Sequence, residues 1–159
     1  MKPPSEATLR RAIAFVATLG LGVATYIAIA DSGGGSPTCV AGGHGCQTVA
    51  ESSYSHIAGI NVAVFGIVGY LALLATAFFV TDAARLGGFV LALGGFGFSV
   101  YLTYLEIFEI EAICQWCVAS AVLMTILFAL SATRLIAYAG TDEAGGGRDP
   151  DLRPLEEGR

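Results

Sequence analysis

Read for hydrophobic and polar positions, the chain alternates long apolar runs with short polar breaks. Four runs, about 12–30, 57–80, 86–108 and 114–138, approach or exceed the ~20 residues that cross ~30 Å of hydrocarbon as helix. They predict an all-α integral membrane protein built as a four-transmembrane-helix bundle. Only residues 81–85 separate the second run from the third, so these two spans are expected to be antiparallel neighbours. Residues 31–55 form the first long break, with Gly33, Gly34, Gly35, Gly42, Gly43 and Gly45 beside Pro37. That composition predicts a mobile flap around Cys39. After Cys46 the glycines stop, and 47–54 predicts a short amphipathic segment over the mouth of the bundle. The stretch 139–159 is glycine-rich and charged and predicts a disordered tail, leaving 1–138 as the membrane domain.

Composition fits this pattern: 55% of residues are hydrophobic and 13% charged, against roughly a quarter charged in soluble proteins. The third run carries small residues at four-residue intervals, Ala84, Gly88 and Ala92, then Gly95 and Ser99. Such rows let helices approach closely in lipid. Tyr26, Tyr101, Tyr104 and Trp116 gather toward one boundary, as an aromatic belt does. All eight basic residues fall on one side of the four-pass arrangement: Lys2, Arg10, Arg11, Arg85, Arg134, Arg148, Arg153 and Arg159. The positive-inside rule then predicts that both termini are cytoplasmic and that every cysteine faces out. The net charge of −5 gives no support to nucleic-acid binding. Ala28-Ile29-Ala30 ahead of Asp31 has the form of a signal cleavage site, but the first run is longer than the usual apolar core of a signal, so a retained helix is expected.

The chemistry rests on four cysteines. Cys114 and Cys117 are three apart at the opening of the last run, which puts both thiols on one face of a first helical turn. Free N–H groups and the helix dipole favour a thiolate there. Cys39 and Cys46 lie far upstream. Of the three possible pairings, rings over Cys39–Cys46 and Cys114–Cys117 are the economical choice. Both pairs can be read as structural staples, although a bridge over so small a loop as Cys114 to Cys117 stabilises little. A four-thiolate zinc site has the ligand count, but gaps of six and then 67 residues do not resemble a structural zinc module. As redox pairs they relay electrons outward-in by thiol exchange, and a lipid quinone is the natural two-electron acceptor within a membrane.

Other polar groups flank the cysteines. Asn61, read as one turn into the second span, is placed to donate to a quinone carbonyl or to bond a neighbouring helix. His44 and His56 are candidates for proton movement or plain solvation. Glu106, Glu109 and Glu111 read as a solvated acidic rim rather than a proton relay, with Glu106 the one deep enough in the third run to take part in a relay.

Cys46-Gln-Thr-Val49-Ala-Glu-Ser52-Ser-Tyr54, Gly59-Ile60, Gly66, Gly69-Tyr70, Tyr101-Leu102 and Cys114-Gln-Trp-Cys117 resemble the vitamin K epoxide reductase family in its bacterial form. The resemblance implies a four-helix bundle around a quinone, ubiquinone or menaquinone. It makes Cys114 and Cys117 the active-site pair and Cys39 and Cys46 the shuttle. It also implies a thioredoxin-like partner outside a bacterial inner membrane, expected to be a separate protein because the tail has no room for a fused domain. Ser52, Tyr54 and Asn61, with Cys117, are the expected quinone contacts. Asn61 stands where many bacterial members have proline, and Ala121 where the animal enzymes have tyrosine. The function expected is disulfide generation. Its alternatives are a structural membrane protein and a quinone or vitamin K epoxide reductase with another thiol donor.

Overall fold

The computed structural model describes residues 4–39, 44–57 and 59–138. The expected disordered tail, 139–159, and the loop glycines Gly42 and Gly43 lie outside them. Helix α1 is Glu6–Ser32, α2 Gly45–Glu51, α3 Val62–Phe78, α4 Asp82–Phe108 and α5 Gln115–Tyr138. A 3-10 turn at Ser53–Ser55 leads into a small antiparallel hairpin, β1 His56–Ile57 with β2 Ile60–Asn61. The four long helices close a ring in which α1 and α4 each pack against both α3 and α5.

Two helices begin earlier than the apolar runs because side chains cap them. Ser5 Oγ accepts from the Thr8 N–H at 3.3 Å ahead of α1, and Thr81 Oγ1 from the Ala84 N–H at 3.3 Å ahead of α4. Each cap satisfies an orphan donor, and Glu6 and Asp82 in the first turns suit the helix dipole. The second run starts later than expected. Gly59 turns the chain with φ 81, a conformation glycine adopts without cost, and His56 then pairs with Asn61 and Ile57 with Ile60. The 57–80 run therefore yields only a 17-residue α3, about 26 Å long at ~1.5 Å per residue. Helices α1, α4 and α5 are long and apolar enough to cross a membrane.

Packing follows the sequence at helical spacing. Leu9, Ile13, Ala17, Gly20 and Ala24 form one buried stripe of α1, set against Tyr70, Leu73 and Ala77 of α3 and Met124 and Leu127 of α5. Steps of three and four residues keep that stripe on a single face. On α4 the small-residue row closes on α3, where a Cβ on Gly88 would stand 3.0 Å from Thr76 Oγ1. Phe96 stacks on Phe128 of α5 with centroids 5.2 Å apart. The outward faces are apolar as well, with Phe15, Ile29, Val68, Phe78 and Ile136 exposed. Helices hydrophobic on both faces belong in lipid.

One end of the bundle is tied by buried charge. Arg85 and Arg134 are each 2% exposed. Arg85 donates to both Glu6 oxygens at 3.1 Å, to Asp82 and to the Tyr138 carbonyl at 2.9 Å. Arg134 donates to Glu6 at 3.3 Å and to the Thr76 carbonyl at 3.0 Å, while Arg10 takes the carbonyls of Ala77 at 2.6 Å and Phe78 at 3.0 Å. The orphan carbonyls ending α3 are thus satisfied by guanidinium groups from α1 and α5.

Gly20 is the closest approach in the core: an added Cβ would lie 2.2 Å from the Tyr70 ring. Gly20→Ala is expected to lower the Tm in detergent, at a cost of about 1–3 kcal/mol. Gly22→Ala, whose methyl meets nothing within 4 Å, leaves the Tm unchanged or higher. Equal losses in the two variants would contradict this packing.

Candidate active site

The site is built where α5 begins. After α4 ends, the Ile110 N–H returns to the Leu105 carbonyl at 2.9 Å and the Ala112 N–H to the Glu106 carbonyl at 3.1 Å. Glu111 takes up the reversal in the left-handed region, φ 52, which is uncommon for a residue with a side chain. The reversed chain brings the Cys114 N–H onto the Glu106 carboxylate at 3.1 Å. Cys114 immediately precedes α5, and its carbonyl accepts the Val118 N–H at 3.0 Å. Cys117 lies one turn further and lines the same cavity as Cys114 and Glu106. Both thiols are free. The pairing expected from the sequence is therefore present at Cys39–Cys46, with Cα atoms 5.7 Å apart, while Cys114 and Cys117 stand reduced.

Helix α2 brings the disulfide to the dithiol. Gly45 makes this contact, because a Cβ there would stand 2.4 Å from the Ile113 carbonyl oxygen. The first turn of α2 thus rests on the backbone just ahead of Cys114, and Cys46 is 1% exposed. The sequence reading put Gly45 in an irregular flap and began the ordered segment at residue 47. In the structure Gly45 opens the helix. The approach to Cys39 is also fixed. Trp116 Nε1 donates to the Thr38 carbonyl at 3.0 Å, Tyr26 OH accepts the Thr38 N–H at 3.3 Å, and the two rings are 4.8 Å apart. Tyr26 and Trp116, expected in an aromatic belt, therefore clamp the segment leading to Cys39.

Below this junction lies a cavity of about 480 Å³, in the range typical of small-molecule sites, ~300–1,000 Å³. Cys46, Cys114, Cys117, Ser52, Tyr54 and Asn61 all line it; Cys39 does not. Its walls are mostly aliphatic, from Gly94 to Leu102 on α4 and Val62 to Leu73 on α3. Tyr70 forms part of the wall, its hydroxyl on Ser120 Oγ at 2.8 Å. Three expected contacts take up different positions. Asn61 is not one turn into a helix but caps α3, its Oδ1 accepting the Ala63 N–H at 2.7 Å. That leaves the Asn61 amide N–H groups without a partner among the described residues. Ser52 Oγ is committed to the Val49 carbonyl at 2.7 Å, so it can accept a hydrogen bond but has no proton left to donate. Tyr54 sits exposed at the mouth.

One of the three acidic groups read as a solvated rim departs from that reading. Glu106 is 5% exposed because the α4 to α5 reversal folds over it, whereas Glu109 and Glu111 are exposed. Asp31, also on the cavity wall, meets His56 Nε2 at 3.3 Å. His44 stays on the surface, with Nδ1 3.0 Å from Gln47 Oε1.

The neighbouring Cys117 thiol holds Cys114 below the ordinary thiol range. Burial opposes the shift, the backbone N–H groups of Cys117 and Trp116 add to it, and the Glu106 carboxylate works against it. A low-pKa thiol is both more ionised and a better leaving group.

An apolar helical bundle with a disulfide and a dithiol meeting at one cavity places the protein among membrane oxidoreductases. The pattern of the vitamin K epoxide reductase family matches residues 11–132, and the chain belongs to that family. Among curated proteins no match is found.

Two outcomes follow. Thiolate absorbance of the purified protein, with Cys39–Cys46 intact, is expected to rise through a transition below the ordinary thiol range. In Cys117→Ala that transition moves to higher pH, because the donor that stabilises the Cys114 thiolate is gone. A transition unmoved by the substitution would contradict the assignment. Gly45→Ala is expected to lift α2 from Ile113 and slow thiol exchange between the two pairs at least tenfold, followed by rapid-quench alkylation and mass analysis. Unchanged exchange would show the contact to be incidental.

Proposed function

We propose that the chain is a quinone-dependent thiol–disulfide oxidoreductase that generates disulfides in a separate thioredoxin-like partner. It crosses a bacterial inner membrane four times, with both termini cytoplasmic and the cysteines at the outer face. The observation that carries this reading is the meeting of an oxidised and a reduced cysteine pair at one apolar cavity. Free thiols at Cys114 and Cys117 weigh against a structural bridge there. The orientation is supported by Arg10, Arg85 and Arg134 lying together at the end of the bundle away from the cysteines.

A partner thiolate attacks Cys39, the more exposed sulfur of the shuttle; the disulfide breaks and Cys46 leaves as thiolate. The partner's second thiolate then displaces Cys39, so that the partner is oxidised and the shuttle reduced. Cys46 next attacks Cys114 of an oxidised active-site pair, freeing Cys117. Cys39 closes on Cys46 and expels Cys114, whose low pKa suits it to leave. The described state, shuttle oxidised and Cys114 and Cys117 reduced, is the product of this exchange. A bound ubiquinone or menaquinone accepts two electrons and two protons. The cavity fits such a ring by volume and aliphatic lining. Cys117 lies on its wall, the Asn61 amide and Tyr54 hydroxyl offer donors to carbonyl oxygens, and Ser52 offers an acceptor.

The test is quinone absorbance in detergent with a reduced thioredoxin-like dithiol protein and a soluble quinone analogue. Wild type is expected to turn over. Cys117→Ala should lose turnover with any dithiol, and Cys39→Ala only with the protein donor. Absence of turnover in wild type with every quinone tried would overturn the reading.

A further inference from the structure

Two glutamates of the bundle helices are largely buried, and they are held differently. Glu6 is paired with Arg85 and Arg134. Glu106 has no ion pair among the described residues. Its hydrogen-bond partner is the Cys114 N–H at 3.1 Å, and it lines the same cavity as Cys117. A carboxylate taken out of water is costly unless a charge or a network offsets the loss, and one kept without a cation in a membrane protein marks a functional group. Among the described residues, no lysine, arginine or histidine lines the cavity that Glu106 shares with both thiols.

The chemistry of the dithiol requires such a group. When the Cys114–Cys117 bond forms from a Cys114 thiolate and a Cys117 thiol, two electrons and one proton leave. The electrons pass to the acceptor. The proton needs a base, and Cys114 Sγ ceases to be one as it becomes part of the new bond. Glu106, whose carboxylate accepts the Cys114 N–H at 3.1 Å and lines the same cavity as Cys117, is the other base at hand.

We propose that Glu106 is a catalytic residue whose carboxylate takes the Cys117 proton as the disulfide closes and holds it at the cavity wall for the reduced acceptor. This rests on the reading that the pair gives its electrons to a quinone, whose second proton comes from water at the mouth. The Cys114 N–H anchors the carboxylate, so the base moves with the first turn of α5. Cys117, Cys114 and Glu106 thus act as donor, bond partner and proton acceptor.

The test has two readouts on the full-length protein. In quinone-free protein, oxidation of the dithiol by diamide is followed by infrared difference spectroscopy. A protonated-carboxyl band is expected to appear on oxidation, to shift with isotope-labelled glutamate and to be missing in Glu106→Gln. In turnover assays Glu106→Gln, which still accepts the Cys114 N–H, is expected to slow quinone reduction about 10²-fold or more. Glu109→Gln, exposed nearby, leaves the rate unchanged. Wild-type turnover with an equally fast Glu106→Gln, or a slow variant with no carboxyl band in wild type, would overturn the proposal. Because the band is read in wild type, the proposal stays testable if Glu106→Gln fails to fold. Wild type inactive with every quinone would instead remove the functional reading beneath it.

Discussion

The first turn of α5 has to face two surroundings at once, a disulfide carried by the segment that ends in α2 and an apolar cavity inside the bundle. Everything else at this end of the molecule serves that constraint. Gly45 lets α2 rest on the Ile113 carbonyl, and the reversal at Glu111 sets the Cys114 N–H on Glu106. Trp116, projecting from the same turn, holds the backbone beside Cys39. One turn of helix therefore positions Cys114, Cys117 and the segment leading to Cys39.

The opposite end does a different job with the same economy. A cavity of about 480 Å³ between four helices removes packing that would otherwise hold them together. The inward side of α4 from Gly94 to Leu102 lines space rather than filling it. The bundle is closed instead by Arg85, Arg134 and Arg10, which join α1, α3, α4 and α5 through Glu6, Asp82 and the end of α3. Buried ion pairs contribute modestly to net stability, but leaving one partner behind is costly. They thus favour a single arrangement of the helices while the far end stays hollow.

Much of this was legible in the residues. Apolar runs separated by short polar breaks located four long helices to within a few residues, because hydrophobic length is a one-dimensional property. The pairing of Cys39 with Cys46 and the setting of Cys114 and Cys117 at a helix start came from spacing. What stayed hidden depended on folding back in three dimensions. Asn61 looked intramembrane until the turn at Gly59 showed it capping α3. Glu106 stood apart from Glu109 and Glu111 only by its depth in the third run, and nothing local showed that a reversal would cover it. Gly45 was one of several loop glycines, and its role exists only against Ile113. Arg85 and Arg134 read as surface markers of orientation, and their burial followed from Glu6, which is 79 and 128 residues away.

In the proposed relay Cys46 and Cys114 exchange directly, joining the Cys39–Cys46 pair to the pair at the cavity. Mild oxidation of a Cys39→Ala, Cys117→Ala double variant, followed by non-reducing peptide mass analysis, tests it most directly. The account predicts one intramolecular Cys46–Cys114 disulfide, formed without loss of the folded bundle. Two thiols that stay free, or that bridge only between separate molecules, would contradict it.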